Sequence, residues 1–147
     1  MFLRLTIAFF ALLTTTSSFA QTDAKIEVVK HNHVALHVKD IAASTKFYKE
    51  VMGLEPVAVP DSLKAIRSWF KLGTDQQIHL LAGREFEVKN DRNGSHFALF
   101  VISITAVEKY LTQHKMSFHK QVRFDGAVQI YVADPDGYLI ELNEVKR

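Results

Sequence analysis

Histidines are the side chains of this 147-residue sequence with the clearest potential for chemistry. The chain has seven histidines and no cysteine, so a thiolate metal site, a cysteine nucleophile and a disulfide framework are excluded. His33 and His96 each begin a short run of β-forming residues, and His79 and Glu141 occupy matching places in two later runs. Three imidazoles with one carboxylate suit one divalent metal ion, for which Zn, Ni, Mn and Fe(II) are the candidates.

An internal repeat explains why these four positions correspond. Residues 33–48 align with residues 96–111 at an offset of 63, with seven identities in sixteen positions. The ends of the two halves also correspond, since residues 78–80 align with residues 140–142 at an offset of 62. We interpret the chain as a tandem duplication in which two strands from each half, paired about a pseudo-twofold axis, bring the four candidate ligands to one centre, either within one chain or between two chains of a dimer. The alternatives are ordinary strand-end histidines and a Glu141 that lies on a solvated face.

Each half is predicted to contain a strand, a helix and three further strands. In the first half, residues 33–38 read as a strand, Asp40 as a helix cap and Gly53 as the helix end. In the second half, the sequence from Thr105 to Glu108 is typical of a capping box. The remaining strands are predicted at about 55–59, 66–71, 77–82, 96–101, 117–122, 127–132 and 138–143. These elements predict an α+β fold of two tandem βαβββ modules, at about 26–83 and 95–145, joined by a charged linker, 83–94.

The first twenty residues have the order of a secretory signal peptide. Arg4 precedes an apolar run from Leu5 to Leu13, and a segment of mostly small residues ends at Ala20. The run is too short to cross about 30 Å of hydrocarbon. We therefore expect cleavage after Ala20, a single domain over residues 21–147, and an exported protein, periplasmic or secreted, that does not contact the membrane after cleavage.

The charge pattern argues against nucleic acid as a partner. The formal net charge is +2, and the basic and acidic residues are scattered along the chain. No run of Lys and Arg reaches four residues.

Two stretches of the sequence resemble the vicinal oxygen chelate superfamily. The first reads His33-Val-Ala-Leu-His-Val-Lys-Asp-Ile, followed by Ser44, Phe47-Tyr48 and Met52-Gly-Leu54; the second reads Asp134-Pro-Asp-Gly-Tyr-Leu-Ile-Glu-Leu142. The superfamily includes glyoxalase I, fosfomycin-resistance transferases, bleomycin-binding proteins, methylmalonyl-CoA epimerase and extradiol dioxygenases. The resemblance implies a curved, eight-stranded mixed-sheet cup around one metal ion. It implies His33, His96 and Glu141 as ligands, His79 at a fourth ligand position, a small-molecule substrate and a homodimer.

Three functions follow from this resemblance. The first is a glyoxalase-like lyase or isomerase, in which the metal chelates two substrate oxygens and Glu141 moves a proton to form an enediolate. Glyoxalase I has a glutamate where this chain has His79, so only one carboxylate is present here. The second is an Fe(II) extradiol-type dioxygenase, for which Tyr131 stands ten residues before Glu141. The third is a non-catalytic protein that binds a small molecule such as an antibiotic.

Two further residues are catalytic candidates. His37 follows His33 by four residues on the same strand face and could donate to an anionic substrate or act as a base. The alternative for His37 is a partly exposed strand histidine, and the alternative for Tyr131 is an aromatic that fills a strand face. His31 stands at the entrance of the first strand, and His114 and His119, around the end of the second helix, are assigned to the surface.

Overall fold

The computed structural model describes residues 26–146. The predicted signal peptide and its cleavage site lie outside the described residues. The chain divides into two units after Lys30, and the second unit contains every helix and strand of the described residues. None of the helices in residues 26–146 is long and apolar enough to cross a membrane.

The order of elements confirms two βαβββ modules. The first module contains β1 (His33–Val38), α1 (Ile41–Lys46), a π-helical turn (Phe47–Val51), β2 (Pro56–Val57), a 3-10 turn (Asp61–Leu63), β3 (Arg67–Leu72) and β4 (Gln76–Ala82). The second contains β5 (Phe97–Val101), α2 (Ile104–Gln113), β6 (Phe118–Val122), β7 (Val128–Ala133) and β8 (Leu139–Glu144).

The strands form two four-stranded mixed sheets with the same topology. The strand order is β1-β4-β3-β2 in the first sheet and β5-β8-β7-β6 in the second. β1 pairs with β4 and β5 with β8 in parallel, and the other pairs are antiparallel. Ala35 lies opposite His79, as Ala98 lies opposite Glu141. The α+β fold and the repeat are thus confirmed, and the eight predicted strands divide equally between two sheets.

Alternation along the strands separates the core from the candidate site. Leu36 and Val38 of β1, Leu80 of β4 and Ile140 of β8 point to one side and are buried in the core. The intervening residues point to the opposite side, which we call the open face of each sheet. His37, His79, Tyr131 and Glu141 therefore lie on an open face, since each stands next in sequence to a buried core position, and His33 lies on the same face of β1 as His37.

The two α-helices begin with side-chain caps, one as predicted and one not. Asp40 accepts hydrogen bonds from the backbone N–H groups of Ala42 and Ala43, which confirms its predicted role. The predicted capping box is wrong, because the N-cap of α2 is Ser103, whose Oγ accepts from Ala106 N–H. Thr105 already lies in the first helical turn.

One boundary in the first module also differs from prediction, and another agrees with it. The strand expected over 55–59 is reduced to Pro56–Val57, because Pro60 precedes a 3-10 turn that the pattern did not predict. The helical segment continues through the π-helical turn to its cap at Met52, and Gly53 follows it as expected, with a φ of +65° that residues with a Cβ rarely adopt.

A buried carboxylate in the turn between β7 and β8 fastens the two modules together. Asp136 accepts hydrogen bonds from the backbone N–H of Lys39 and the hydroxyl of Ser44, each at 2.7 Å. The guanidinium of Arg84 reaches the same carboxylate at 2.8 Å, and both side chains of this ion pair are buried. In the sequence, Asp134-Pro-Asp-Gly137 is typical of a turn and indicates nothing more. The structure shows that the turn of the second module is bound to β1, α1 and the linker.

Two tyrosines strengthen the same junction. The hydroxyl of Tyr48 donates to Asp134 at 2.9 Å, and burial together with that carboxylate raises the pKa of Tyr48 far above its ordinary value. The hydroxyl of Tyr138 donates to the carbonyl of His37 at 3.0 Å. Since each bond joins one module to the other, the junction consists largely of polar side chains that leave no buried polar side-chain atom unpaired in the described residues.

Candidate functional site

Glu141 is a buried carboxylate whose two oxygens are both fully engaged. Oε1 accepts from Nδ2 of Asn143 at 2.8 Å and from Nε2 of Gln129. Oε2 accepts from the hydroxyl of Tyr131 at 2.8 Å and lies 2.9 Å from Nε2 of His96. Burial raises the pKa of Glu141, but these hydrogen bonds and the adjacent histidine outweigh it and hold the pKa below its ordinary value. The residue is therefore a carboxylate at neutral pH.

His96 faces Glu141 with the nitrogen that carries no proton in its neutral form. Nδ1 lies 3.0 Å from the carbonyl oxygen of Gly94, which can only accept, so Nδ1 carries a proton. The lone pair of Nε2 then points at Oε2 of Glu141. Two acceptors at 2.9 Å need a positive charge between them, either a second proton on the imidazole or a cation.

Tyr131 lies on β7, between β6 and β8 in the sheet, and orients the carboxylate of Glu141. It is opposite Glu141 in register and almost completely buried. Burial, the hydrogen bond to Glu141 and the charge of that carboxylate raise the pKa of Tyr131 to about 12. The hydroxyl therefore keeps its proton at neutral pH and is a donor, not a base.

The first module holds its histidines in a ladder of stacked rings. The rings of His33 and His79 stack at a centroid distance of 4.2 Å, and Trp69 stacks on the other face of His79 at 4.8 Å. Nδ1 of His33 lies 2.5 Å from Oδ1 of Asn32, and Nε2 of His79 lies 2.8 Å from Oε1 of Gln77. Each imidazole thus has one nitrogen held by an oxygen and one that no residue of 26–146 engages, the arrangement usual for metal-binding histidines. Burial and the neighbouring His33 lower the pKa of His79 and favour its neutral form.

The four candidate ligands form two pairs, one in each module. His33 contacts His79 in the first module, and His96 contacts Glu141 in the second. Over residues 26–146, no group of three or more His, Asp and Glu side chains is placed to hold a metal ion. Imidazole and carboxylate are donor types that suit a divalent metal, and each pair holds two of the four ligands that the sequence predicts.

His37 is separate from both pairs. Nε2 lies 3.2 Å from the carbonyl oxygen of Ala82, and the ring packs at 5.8 Å from that of Phe86. The side chain is half-buried and lies beside the start of the linker. Its Nδ1 forms no hydrogen bond with any described residue.

Sequence reasoning missed the amides that hold Glu141. Gln129 is buried, donates to both Glu141 and Asn143, and accepts from Nε2 of Gln121 at 2.8 Å. Gln129 and Asn143 stand two positions from Tyr131 and Glu141 on their strands and so share the open face. That alternation was a signal in the sequence, although it does not specify which amide reaches which oxygen.

The chain belongs to the Glyoxalase/Bleomycin resistance protein/Dioxygenase superfamily, which matches residues 30–142. This match covers both modules and includes all four candidate metal ligands.

Individual relatives agree with that assignment. The chain is 29% identical over 119 residues to glyoxylase I 4 of Arabidopsis thaliana, which covers 76% of this chain and 68% of the relative. It is 34% identical over 123 residues to virulence protein STM3117 of Salmonella typhimurium, which covers 77% of this chain and 82% of the relative. Among solved structures, a glyoxalase family protein from Bacillus anthracis is similar, with a TM-score of 0.68 and 28% identity over 84% of this chain and 100% of that chain.

Proposed function

We propose that this protein is an exported, metal-dependent enzyme of the superfamily, a glyoxalase-like lyase or isomerase that acts on a small oxygen-chelating substrate. The observation that carries the proposal is the pair of His96 Nε2 and Glu141 Oε2, which face each other at 2.9 Å. A divalent ion would supply the positive charge that this pair needs. The relative named glyoxylase I 4 supports the choice among the activities of the superfamily.

The proposed site combines both pairs of ligands. His33 and His79 bring two imidazoles with a free nitrogen each, and His96 and Glu141 bring the third imidazole and the carboxylate. Since no three of these side chains converge in the described part of one chain, we propose a homodimer in which the first pair of one protomer faces the second pair of the other. The bound metal would polarise substrate oxygens and stabilise negative charge that develops on them.

The chain's own residues would perform the proton transfer. Glu141 is ionised and can accept a proton from the carbon next to a substrate carbonyl. Tyr131 stays protonated and holds Oε2 in place, and Gln129 and Asn143 hold Oε1. His37, on the open face of β1, is a candidate donor to an anionic group of the substrate.

Metal analysis of the exported protein tests the site. We expect about one ion per chain in the wild type and a loss of metal in His33→Ala, His96→Ala and Glu141→Gln. His79→Ala should lower metal affinity if His79 is a ligand. The matched control is His114→Ala, because His114 is exposed and stacks on Tyr110, away from both sheets' open faces. Full metal content in both the His33 and the Glu141 variant would disprove the site.

Glu141→Gln separates chemistry from folding. A glutamine can accept from Gln129 and Asn143 with its oxygen and donate to Tyr131 and His96 with its nitrogen, so we expect a stability loss of only about 1 kcal/mol. Exchange of a substrate α-proton with deuterated water should fall by at least about a hundredfold, since the base is lost. An unfolded variant, or one that still exchanges the proton, would contradict the role of Glu141.

One observation favours a second candidate, an Fe(II) extradiol-type dioxygenase. Tyr131 donates directly to the carboxylate ligand position at 2.8 Å, so its hydroxyl is next to the proposed metal. Oxygen uptake by the Fe(II)-loaded protein with a catechol would favour this activity over proton transfer. A protein that binds no metal but binds an antibiotic tightly would instead indicate the non-catalytic alternative.

A further inference from the structure

Arg92 is a linker cation that reaches the open face of the second sheet. Its Nη1 lies 2.6 Å from Nε2 of His119 and donates to Oε1 of Gln121 at 3.0 Å. Both partners belong to β6, the strand at the far edge of this sheet from β5. Gln121 in turn donates to Gln129 at 2.8 Å and to Tyr131 at 3.3 Å. Arg92 is therefore held by the same side-chain network that holds Glu141.

These contacts position the guanidinium without neutralising it. A guanidinium has no acceptor, so the contact with His119 requires an unprotonated Nε2 on that histidine. Gln121 is uncharged. Within residues 26–146, Arg92 takes part in no ion pair with a carboxylate. Its full positive charge is therefore left at the edge of the open face.

The other linker arginine shows the contrast. Arg84 is buried, and its Nε and Nη2 both donate to the carboxylate of Asp136. That edge of the guanidinium is satisfied, and the charge is paired. In Arg92 only Nη1 is engaged by described residues, so the equivalent Nε–Nη2 edge is free. This edge presents two parallel donors, which match two oxygens of one carboxylate or phosphate.

The position of Arg92 limits the size of its ligand. His119, Tyr131 and Glu141 lie opposite one another on three adjacent strands. Neighbouring strands are about 4.8 Å apart, so the backbone of His119 lies about 10 Å from that of Glu141. A molecule that binds Arg92 at one end and passes over Tyr131 reaches Glu141 with a skeleton of only a few atoms.

We propose that Arg92 binds the anionic group of the substrate and that the substrate is a small carboxylate or phosphate compound. The placement of its other end at Glu141 rests on the proposed function, whereas the anion site at Arg92 does not.

Binding of matched probes to the metal-free exported protein tests this. The probes are lactate, its neutral amide lactamide, and inorganic phosphate, and the readout is the shift of the Arg92 Nε–H and Gln121 side-chain resonances in NMR spectra. We expect saturable shifts with lactate, phosphate or both, and none with lactamide. The probe that binds distinguishes a carboxylate substrate from a phosphorylated one.

Variants identify the cation responsible. Arg92→Gln should weaken anion binding about tenfold or more, because a charge-assisted bidentate contact is lost. Arg92→Lys should keep part of the affinity, since it retains the charge without the fork. Arg123→Gln is the control, because it removes the same charge from an exposed arginine that is paired with Asp125 at 3.3 Å. The affinity of the Arg123→Gln variant for the anions should equal that of the wild type.

Three results would overturn the proposal: equal binding of lactate and lactamide, equal weakening in the Arg92 and Arg123 variants, or no binding of either anion by the wild type. The proposed function fails separately. Arg92-dependent binding in a protein that retains no metal would leave the anion site standing and remove the metal-dependent reaction. Metal binding and proton exchange that are insensitive to Arg92→Gln would support the metal-dependent reaction and remove the role of Arg92 in substrate binding.

Discussion

Four neighbours rather than solvent set the protonation state of Glu141. Burial alone favours the neutral acid, and donors on β7 and β8 reverse that preference. The internal repeat could identify Glu141 and His96 as candidate ligands, because it aligns both with histidines of the first half. It could not identify Gln129, since a glutamine in a strand has no distinctive pattern and its role depends on which residue lies opposite.

Tyr131→Phe tests the balance at this carboxylate. Loss of the hydroxyl removes a donor that lowers the pKa of Glu141, so that pKa should rise. A carboxylate with a depressed folded-state pKa contributes stability above its unfolded pKa and loses it as the pH falls through the folded value. The variant should therefore begin to lose this contribution at a higher pH than the wild type, with a cost at neutral pH of about 1 kcal/mol. Urea unfolding between pH 3 and pH 7, chosen to span the ordinary carboxyl pKa, measures both effects.

An unchanged acid profile in Tyr131→Phe would mean that the amides alone hold the charge on Glu141. Tyr110→Phe is a suitable control, because that tyrosine lies on α2 and contacts His114 instead of the site.

Helices and strands were predictable where one physical rule decides them. Asp40 at the start of α1 and Gly53 after the π-helical turn that follows α1 are explained by capping and by the left-handed backbone. The start of α2 depends on competition between nearby hydroxyls. Ser103 prevails over Thr105, and Glu144 on β8 additionally accepts from the N–H of Ile104 at 2.8 Å. This second acceptor comes from a distant part of the sequence, so a local motif could not reveal it.

Substitution of the two hydroxyl residues distinguishes these caps. Ser103→Ala should lower the free energy of unfolding by about 1 kcal/mol, because Ala106 N–H loses its acceptor at the helix terminus. Thr105→Ala should be close to neutral, since Thr105 is inside the first turn and alanine favours a helix. Thermal and denaturant unfolding of both variants provide the measurement. A larger loss of unfolding free energy in Thr105→Ala than in Ser103→Ala would instead support the capping box that the sequence pattern predicted.

The two modules behave as one molecule because a polar junction joins them. Asp136 connects β1, α1 and the linker, and Asp134 binds Tyr48. The repeat predicted two similar modules but not this junction, because the turn from Asp134 to Gly137 resembles any turn rich in aspartate and glycine. Contacts between modules depend on residues that are distant in sequence and have no counterpart in periodicity.

Asp136→Asn should destabilise the whole chain by about 3 kcal/mol, because Arg84 is left buried with an unpaired charge. The double variant Arg84→Met with Asp136→Asn should recover part of that loss, since no buried charge remains. Calorimetry of the wild type, Asp136→Asn, Arg84→Met and the double variant measures the coupling. Equal losses in the single and double Asp136 variants would show that the backbone contacts, and not the ion pair, dominate.

Acid should weaken the same junction. Burial raises the pKa of Asp136, but Ser44 and Arg84 outweigh it and lower the pKa below its ordinary value. Its stabilisation is therefore present above the unfolded pKa of about 3.9 and lost as the pH falls through the folded value. Burial raises the pKa of Asp134, which acts in the opposite direction and partly offsets the loss. In Asp136→Asn the acid-dependent loss of stability should be smaller than in the wild type.

Export of the whole molecule remains a prediction from residues 1–20. Mass spectrometry of protein secreted by its native host should find Gln21 at the N-terminus. Arg4 replaced by glutamate should reduce export, because the positive n-region is lost, without altering the mature protein. Uncleaved protein that stays in the cytosol would contradict the signal peptide.

The separation of the ligands into two pairs has a consequence for how the protein responds to dilution. If each proposed metal ion is held by two copies, the concentration of occupied sites in dilute solution rises with the square of the protomer concentration, and the occupied fraction of chains falls on dilution even when metal is abundant. Specific activity should then rise with protein concentration and reach a plateau, and dilution should release the ion together with the partner. A secreted protein that diffuses away from its cell becomes dilute and would lose activity. A protein confined in a periplasm stays concentrated and would keep its activity.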